Sequence, residues 1–243
     1  MLAGSRRPAF YAVGRGWAGD VIALLHPPYT LWHLSYFALG AGVAPHVYPY
    51  RLEWGLAAFA LAVGVAAHAL DELHGRPLRT NVSDRWLELV AALAMAGALA
   101  IGVGAALWVS PWLVPLVLVG GLLVPAYNLE LARGRMHGDV WFALAWGAFP
   151  AFTGYFVNAL HVGWAGVAMA AGCTALSVAQ RRLSSAAREL RRRTRSVTGT
   201  RTRTDGSSEP ITLAQLLGPL DGALAALSAT TVLLAVALLL ARL

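Results

Sequence analysis

A histidine and two carboxylates lie within five residues of each other at the end of an apolar stretch. His68, Asp71 and Glu72 have the spacing i, i+3 and i+4, so a helix would place them on one face. Ionisable groups at membrane depth are costly and usually functional. Carboxylates favour Mg²⁺, and an added imidazole would also suit Zn²⁺, Fe²⁺ or Mn²⁺. The spacing therefore predicts a divalent-metal site; the alternative is a polar helix end where Asp71 pairs with Arg76 or Arg79.

A second polar group ends a later apolar stretch. Tyr127 and Asn128 lie one turn inside this stretch, and we expect them to line a pocket. The residues that follow would form either part of the same site or a polar loop in which Asp139 caps the next helix. These following residues are Glu130, Arg133, His137 and Asp139.

Two further polar residues interrupt apolar stretches. His33 follows Trp32 in the first stretch, and it is either a pocket residue or a structural histidine. Asp221 follows Pro219 in the last one, where a carboxylate should face the interior of a bundle. It would either pair with a neighbour or line a pocket.

The elements that must position these groups are transmembrane helices. Of the 243 residues, 58% are hydrophobic and 13% charged, against about 25% charged in a typical soluble domain. A spanning helix needs about 20 apolar residues. We predict an all-α polytopic bundle with about seven spans, at residues 28–48, 54–74, 86–108, 111–131, 139–160, 163–181 and 212–241.

The arginines predict the orientation of these spans. If the N-terminus is cytoplasmic, 17 of the 19 basic residues lie inside, and only Arg51 and Arg242 lie outside. This asymmetry follows the positive-inside rule. Topology thus accounts for the net charge of +7, and we expect no nucleic-acid partner. We predict an integral protein of a bacterial or archaeal cell membrane with its N-terminus and its polar clusters on the cytoplasmic side.

The predicted organisation has four parts. Residues 1–27 form a cytoplasmic or interfacial segment, with a helix lying in the interface over residues 8–25. Residues 28–193 form six spans and a basic cytoplasmic extension. Residues 194–210 lack apolar periodicity and predict a flexible linker, and residues 211–243 hold the last span.

Four short motifs resemble the UbiA superfamily of intramembrane prenyltransferases. They are the first span from His26 to Ser35 with Gly40; Asp71 to Leu78 with its trailing Arg76-Pro77; Pro125 to Arg133; and Gly147, Pro150, Gly154 and Tyr155 in the fifth span. The resemblance covers roughly residues 20–180 and implies a UbiA-like fold.

In that family, two aspartate motifs on the cytoplasmic side bind Mg²⁺ and an isoprenyl diphosphate. The resemblance therefore implies Mg²⁺ as the cofactor. Asp71 matches the middle of the first motif, but Ala67 and Gly75 stand where Asn and a second Asp are expected. Gln180, Arg181 and Arg182 stand where the second motif is expected. The usual set of magnesium ions therefore cannot be assembled in the usual way.

These observations lead to three hypotheses. The first is a prenyltransferase that acts on an isoprenoid diphosphate or related lipid. Its metal would be held by His68, Asp71 and Glu72, its catalytic residues would be Asp71, Glu72, Tyr127 and Asn128, and its substrate-binding residues would be His33, Arg76, Arg133 and Arg181. The second is a catalytically degenerate protein that binds a lipid, a quinone or a protein partner. The third is an intramembrane metalloenzyme with one transition metal on His68, Glu72, His74 and His137.

Overall fold

The computed structural model describes residues 16–131 and 133–243. The helices are α1 (Trp17–Leu25), α2 (Pro27–Gly42), α3 (Pro49–Leu73), α4 (Asp84–Trp108), α5 (Pro111–Asn128), α6 (Asp139–Ala159), α7 (Trp164–Arg188) and α8 (Leu213–Leu240). A further helical turn, Glu189–Arg193, extends α7. The interfacial helix predicted over residues 8–25 lies outside the described residues up to residue 15, and α1 corresponds to most of the rest of it.

Five of these helices are long and apolar enough to cross a membrane: α3, α4, α5, α6 and α8. The chain is therefore an all-α membrane bundle. The spans predicted at residues 28–48 and 163–181 correspond to α2 and α7. With 16 residues, α2 is shorter than the roughly 20 that a full span requires, and α7 is rich in small and polar residues such as Gln180. Neither meets the requirements for a span, so the count of seven remains a prediction.

The buried helix α2 lies in the middle of the bundle and packs most extensively against α6. Glycines allow this close approach. A Cβ on Gly40 would overlap the carbonyl oxygen of Ala151, and a Cβ on Gly154 would overlap that of Phe37. Small residues at such contacts let two backbones touch. The contact fixes α2, which carries His33, against α6, which carries Trp146.

The loops gather at two ends of the bundle. At one end, Arg242 donates to the carbonyl oxygens of Ala44 and Pro45, and Arg51 donates to the carbonyl oxygen of Val157. We call this the Arg51 end. The opposite end holds the start of α2, the ends of α3, α5 and α7 and the extension Glu189–Arg193, and we call it the arginine-rich end.

Two of the long helices contain a π-helical segment next to a polar side chain. These are Ala60–Ala67 in α3, directly before His68, and Leu144–Ala148 in α6, which includes Trp146. An extra residue per turn redirects the side chains that follow, and such segments occur frequently at functional sites.

The linker predicted to be flexible contains a small hairpin. Strands β1 (Thr200–Thr202) and β2 (Ser208–Pro210) pair antiparallel, and both Arg201 and Arg203 pair with Glu209. Thr204 and Asp205 form the turn, which is closed by a hydrogen bond from the N–H of Gly206 to the carbonyl oxygen of Arg203, and Gly206 has a φ of 83°. A turn followed by a glycine in the left-handed region is a common hairpin connection. The predicted flexible linker thus includes regular structure over residues 200–210, while its flexibility remains a prediction.

Candidate functional site

A pocket of about 180 Å³ opens at the arginine-rich end, between α2, α3, α5, α6, α7 and α8. Helices that are distant in sequence bring their polar side chains to this pocket. Seven of the predicted site residues line it together: His33, His68, Asp71, Tyr127, Asn128, His137 and Arg181.

One wall of the pocket is a histidine pair. The rings of His26 and His68 lie 4.4 Å apart, with 30° between their planes. His26 joins α1 to α2 in a left-handed conformation, with a φ of 45°. Burial lowers the pKa of His26 to about 2, and the nearby His68, Arg192 and Arg188 contribute to this shift. The ring of His26 is therefore neutral at physiological pH.

Two histidines inside the bundle are oriented by backbone carbonyls. Nδ1 of His33 lies 2.9 Å from the carbonyl oxygen of Trp146, and Nδ1 of His68 lies 3.2 Å from that of Gly64. A neutral ring that donates from Nδ1 keeps Nε2 as an acceptor. His33 thus has a structural bond to α6 and also lines the pocket, so both roles considered for it apply.

The opposite wall is strongly basic. Arg181, Arg188, Arg191 and Arg192 line the pocket from α7 and its extension. Arg181 donates from Nε to Oδ1 of Asp139 at 3.0 Å, and its guanidinium lies 4.9 Å from the centre of the Phe142 ring. Asp139 is therefore the ion-pair partner of a pocket arginine as well as a residue of the first turn of α6.

Arg188 lies among these cations without an acidic partner in the described part of the chain. Its guanidinium donates a hydrogen bond to the hydroxyl of Ser185 at 3.0 Å. Burial lowers the pKa of the Arg188 guanidinium, and the nearby Arg181 lowers it further. The pocket is thus short of negative charge, and an anion held there would stabilise Arg188.

Two buried polar atoms of the pocket walls have no hydrogen-bond partner: the hydroxyl of Tyr127 and Oε1 of Gln180. Both residues are more than nine-tenths buried, with 6% and 4% of their surfaces exposed. Buried polar groups are normally hydrogen-bonded, so these two unpaired atoms require an explanation. A polar ligand in the pocket would supply the missing bonds.

Glu72 does not face this pocket. Its side chain is fully buried, and its carboxylate accepts hydrogen bonds from the backbone N–H groups of Leu78 and Thr80 at 2.9 and 2.8 Å. The hydroxyl of Thr80 donates to it as well, at 2.9 Å. Adjacent helical positions point about 100° apart, so Asp71 lines the pocket while Glu72 holds the loop after α3. The expectation that both carboxylates share the site was wrong.

The donor set does not fit the predicted metal site. Asp71 is the sole carboxylate among the described residues that line the pocket. No group of three His, Cys, Asp or Glu that could hold a metal ion occurs in residues 16–131 and 133–243. His68, Asp71 and Glu72 therefore do not converge, and neither does the set of His68, Glu72, His74 and His137. A magnesium cluster that neutralises a diphosphate needs more carboxylates than this pocket offers.

Two of the three arginines predicted to bind phosphate lie elsewhere. Arg76 donates to the carbonyl oxygen of Val82 at 2.6 Å and pairs with Asp84, so it stabilises the loop between α3 and α4. The predicted alternative partner, Asp71, is not bonded to it. Arg133 is exposed in the loop after α5, with a φ of 60°, and does not line the pocket.

Glu130 and two histidines lie at the rim. Nε2 of His74 and Nε2 of His137 are each 3.9 Å from a carboxylate oxygen of Glu130. His137 also stacks on Tyr127, with 4.5 Å between ring centres, and its Nδ1 lies 3.0 Å from the Tyr127 carbonyl oxygen. Sequence reasoning included His137 and Glu130, but it missed His26, Tyr29, Gln180, Arg188 and Arg191 as pocket residues. For Arg188 and Arg191, the available signal was their spacing from Arg181, which places all three on one helical face.

A half-open apolar chamber of about 480 Å³ adjoins the pocket, lined mainly by α3, α4, α5 and α6. Its wall is almost wholly hydrocarbon and contains many alanines and glycines. Val63 and Trp146 line both the pocket and the chamber, so the two spaces meet at these side chains. At the Arg51 end, the chamber reaches Tyr50, Arg51 and Trp54.

Comparisons with protein families, with curated proteins and with solved structures give no match to the chain.

Proposed function

We propose that this membrane protein binds an isoprenoid diphosphate, as the UbiA superfamily that its motifs resemble does. The observation that supports this proposal is the shared wall of Val63 and Trp146 between a basic pocket and an apolar chamber. A ligand that satisfies both spaces has a compact anionic head and a long hydrocarbon tail. A soluble phosphate would leave the chamber empty, and a neutral lipid or a quinone would leave the arginines unpaired.

Arginine side chains would hold the diphosphate. Guanidinium groups bind phosphate oxygens through two parallel hydrogen bonds, and Arg188 forms no ion pair with a carboxylate of the described residues, although Asp71 lines the same pocket. Arg181 and Arg191 flank it on α7 and its extension. The buried hydroxyl of Tyr127 would donate to a phosphate oxygen and thereby gain the hydrogen-bond partner that it lacks.

Prenyl transfer is the reaction class that such a complex would support. The bond between C1 and the bridging oxygen breaks, and the diphosphate leaves with the electron pair. C1 then bonds to a nucleophilic acceptor, which loses a proton. Fixed positive charge stabilises the leaving group, and the Asp71 carboxylate lines the same pocket and would take the proton. Because the carboxylates do not fit a magnesium cluster, the arginines would provide this stabilisation.

A lipid-binding protein without transfer activity is the second candidate. The observation that favours it is the lone carboxylate Asp71, where the resembled family uses two acidic motifs to recruit metal ions. Arginines hold a diphosphate but do not supply the Lewis acidity of Mg²⁺. Both candidates share the same ligand and differ only in whether the C1–O bond breaks.

The proposal also places the arginine-rich end in the cytoplasm, because 14 of the 16 arginines in residues 16–131 and 133–243 lie at that end, the exceptions being Arg51 and Arg242. Isoprenoid diphosphates are water-soluble at the head, so the pocket would open to the compartment that supplies them.

The experiment combines binding with product analysis. Purified protein in detergent is incubated with geranyl, farnesyl and geranylgeranyl diphosphate, with Mg²⁺ or with EDTA, and both bound ligand and released diphosphate are measured. We expect binding in EDTA that weakens as salt rises, because charge pairing contributes to it. Release of diphosphate in EDTA would support the transferase, and binding without release would support the lipid-binding protein. Absence of binding to all three ligands would contradict the proposal.

A further inference from the structure

The rim of the pocket carries a carboxylate between two histidines. Nε2 of His74 and Nε2 of His137 each lie 3.9 Å from a different carboxylate oxygen of Glu130. His74 follows α3 directly, and the other two residues lie in the loop between α5 and α6, so the contact joins two loops at the edge of the pocket. We call these three residues the rim cluster. The binding of a diphosphate by arginines does not account for it.

One contact determines which nitrogen of His137 carries a proton. Nδ1 lies 3.0 Å from the carbonyl oxygen of Tyr127, and a carbonyl oxygen only accepts hydrogen bonds, so Nδ1 is the donor. In the neutral ring, Nε2 then presents a lone pair to the Glu130 carboxylate, which repels it. In the imidazolium form, Nε2 carries an N–H group. His137 therefore attracts Glu130 only when it holds a second proton.

His137 also forms part of the pocket wall. Its ring stacks on that of Tyr127, with 4.5 Å between the ring centres and 29° between the planes. The hydroxyl of Tyr127 is one of the two buried pocket atoms without a hydrogen-bond partner. A second proton on His137 would thus add a positive charge to the wall beside the group that is proposed to donate to a phosphate oxygen.

The groups around His137 show how an anion would affect this proton. Asp71 and Glu130 favour the protonated ring, whereas Arg188 opposes it and Arg181 is already paired with Asp139. An anion in the pocket offsets the arginines and so favours the second proton. The charged and titratable groups that face His137 are Asp71 and His74 at the end of α3, Tyr127 and Glu130 at the end of α5, Asp139 of α6, and Arg181 and Arg188 of α7.

We infer that binding of the anionic head is linked to uptake of a proton at His137, so that the pocket holds its ligand more tightly as the pH falls from 8.5 to 6.5. The inference rests on the proposed function, because the anion is the head of the proposed ligand. Linkage is reciprocal, so an anion that favours the protonated ring is bound more tightly by that form. Imidazole ordinarily titrates in this range. When His137 is neutral, it no longer offsets the charge of Glu130, which repels an anion at the rim.

The test compares the pH dependence of binding between variants. Farnesyl diphosphate is bound to the purified full-length protein in detergent with EDTA, at pH 6.5, 7.5 and 8.5 and constant ionic strength. The gain in affinity on acidification should be about three- to tenfold larger in the wild type than in His137→Gln, since one proton accounts for at most about tenfold per pH unit. Titration of the diphosphate itself is common to both proteins. His46→Gln, at an exposed position of the Arg51 end, is the matched control and should keep the wild-type gain.

Glu130→Gln provides a second variant, which decides the question if His137→Gln does not fold. It removes the repelling charge, so it should bind more tightly than the wild type at pH 8.5 and gain less on acidification. Calorimetry in two buffers of different ionisation enthalpy then counts the protons taken up on binding, and both variants should take up fewer than the wild type.

Two results would overturn the inference. One is a loss of affinity in His137→Gln by the same factor at every pH, which would show a purely structural role. The other is proton uptake in both variants equal to that of the wild type. In either case farnesyl diphosphate still binds to the wild type, so the proposed function would stand. Absence of binding to the wild type at every pH would contradict both.

Discussion

Arg191 and Asp221 form an ion pair that joins the extension of α7 to α8 at the edge of the pocket. Their side chains are 14% and 30% exposed, and Leu224, one turn after Asp221, lines the pocket together with Arg191. One carboxylate oxygen of Asp221 is buried without a hydrogen-bond partner. Asp221 thus acts as an internal counter-ion, and an anion that enters the pocket competes with it for Arg191.

Asp221→Asn should therefore tighten binding of an isoprenoid diphosphate. A partly buried ion pair contributes about 1 kcal/mol, so we expect a gain of about three- to tenfold in affinity. Glu189→Gln is the matched control, because Glu189 pairs with Arg193 on the exposed side of the α7 extension; it should leave the affinity unchanged. Weaker binding by Asp221→Asn would show that Asp221 positions Arg191 for the ligand and does not compete with it.

Glu72→Ala should destabilise the fold. The change removes the acceptor of three hydrogen bonds and leaves the buried N–H groups of Leu78 and Thr80 without partners. Each such loss costs about 1 to 3 kcal/mol, so the midpoint of thermal unfolding in detergent should fall clearly. Glu88→Gln on the exposed surface of α4 should have no effect. If Glu72→Ala abolished ligand binding while the unfolding temperature stayed constant, the structural role assigned to Glu72 would be wrong.

The stability of the protein should fall as the pH falls below about 6.5, and His26 should contribute to this fall. The pKa of His26 is lower in the folded state than its ordinary value of 6.5, so below that value the unfolded chain binds a proton that the folded one does not. The contribution is present above pH 6.5 and is lost on acidification, by at most about 1.4 kcal/mol per pH unit for one proton.

His26→Asn removes this group and tolerates the left-handed backbone. Its unfolding temperature should depend less on pH between 7 and 5 than that of the wild type, in a buffer without phosphate. His46→Asn, at an exposed position of the Arg51 end, serves as the control and should keep the wild-type slope. An unchanged slope in His26→Asn would contradict the buried neutral state of this ring.

The proposed orientation predicts which residues are reachable from each side of the membrane. In intact cells, cysteines that replace Arg79 and Thr198, both exposed at the arginine-rich end, should resist a membrane-impermeant thiol reagent and react only after lysis. A cysteine at His46 should react without lysis. The native Cys173 is buried and should not interfere. Labelling of Arg79→Cys in intact cells would reverse the orientation.

Helical periodicity and the arginine distribution were sufficient to place much of the pocket. They predicted that His33, His68, Asp71, Tyr127 and Asn128 lie at the same end of a membrane bundle, because each lies near the end of a span on the same predicted side of the membrane. Five of the predicted spans were likewise foreseeable from apolar length.

Other features depend on tertiary contacts that no local pattern contains. The carboxylate of Glu72 accepts hydrogen bonds from the backbone N–H groups of Leu78 and Thr80, which lie six and eight residues later in a loop. These bonds hold it away from the pocket. Arg188 and Arg191 were predicted only as part of a basic cytoplasmic extension, since the sequence does not reveal that the extension of α7 lines the pocket. The left-handed backbone of His26 before Pro27 carries no sequence signal, because a residue preceding proline normally prefers extended backbone.

The central claim is that arginines of α7 and its extension hold an anionic head without a metal cluster, and it is tested most directly on Arg188. Binding of farnesyl diphosphate is measured in EDTA for the wild type, Arg188→Gln and Arg182→Gln, where Arg182 is exposed on the same helix and outside the pocket. A charged hydrogen bond contributes about 1.5 to 3 kcal/mol, so Arg188→Gln should weaken binding by at least about tenfold while Arg182→Gln matches the wild type. Equal losses in the two variants, or wild-type binding that occurs only with Mg²⁺, would contradict the claim.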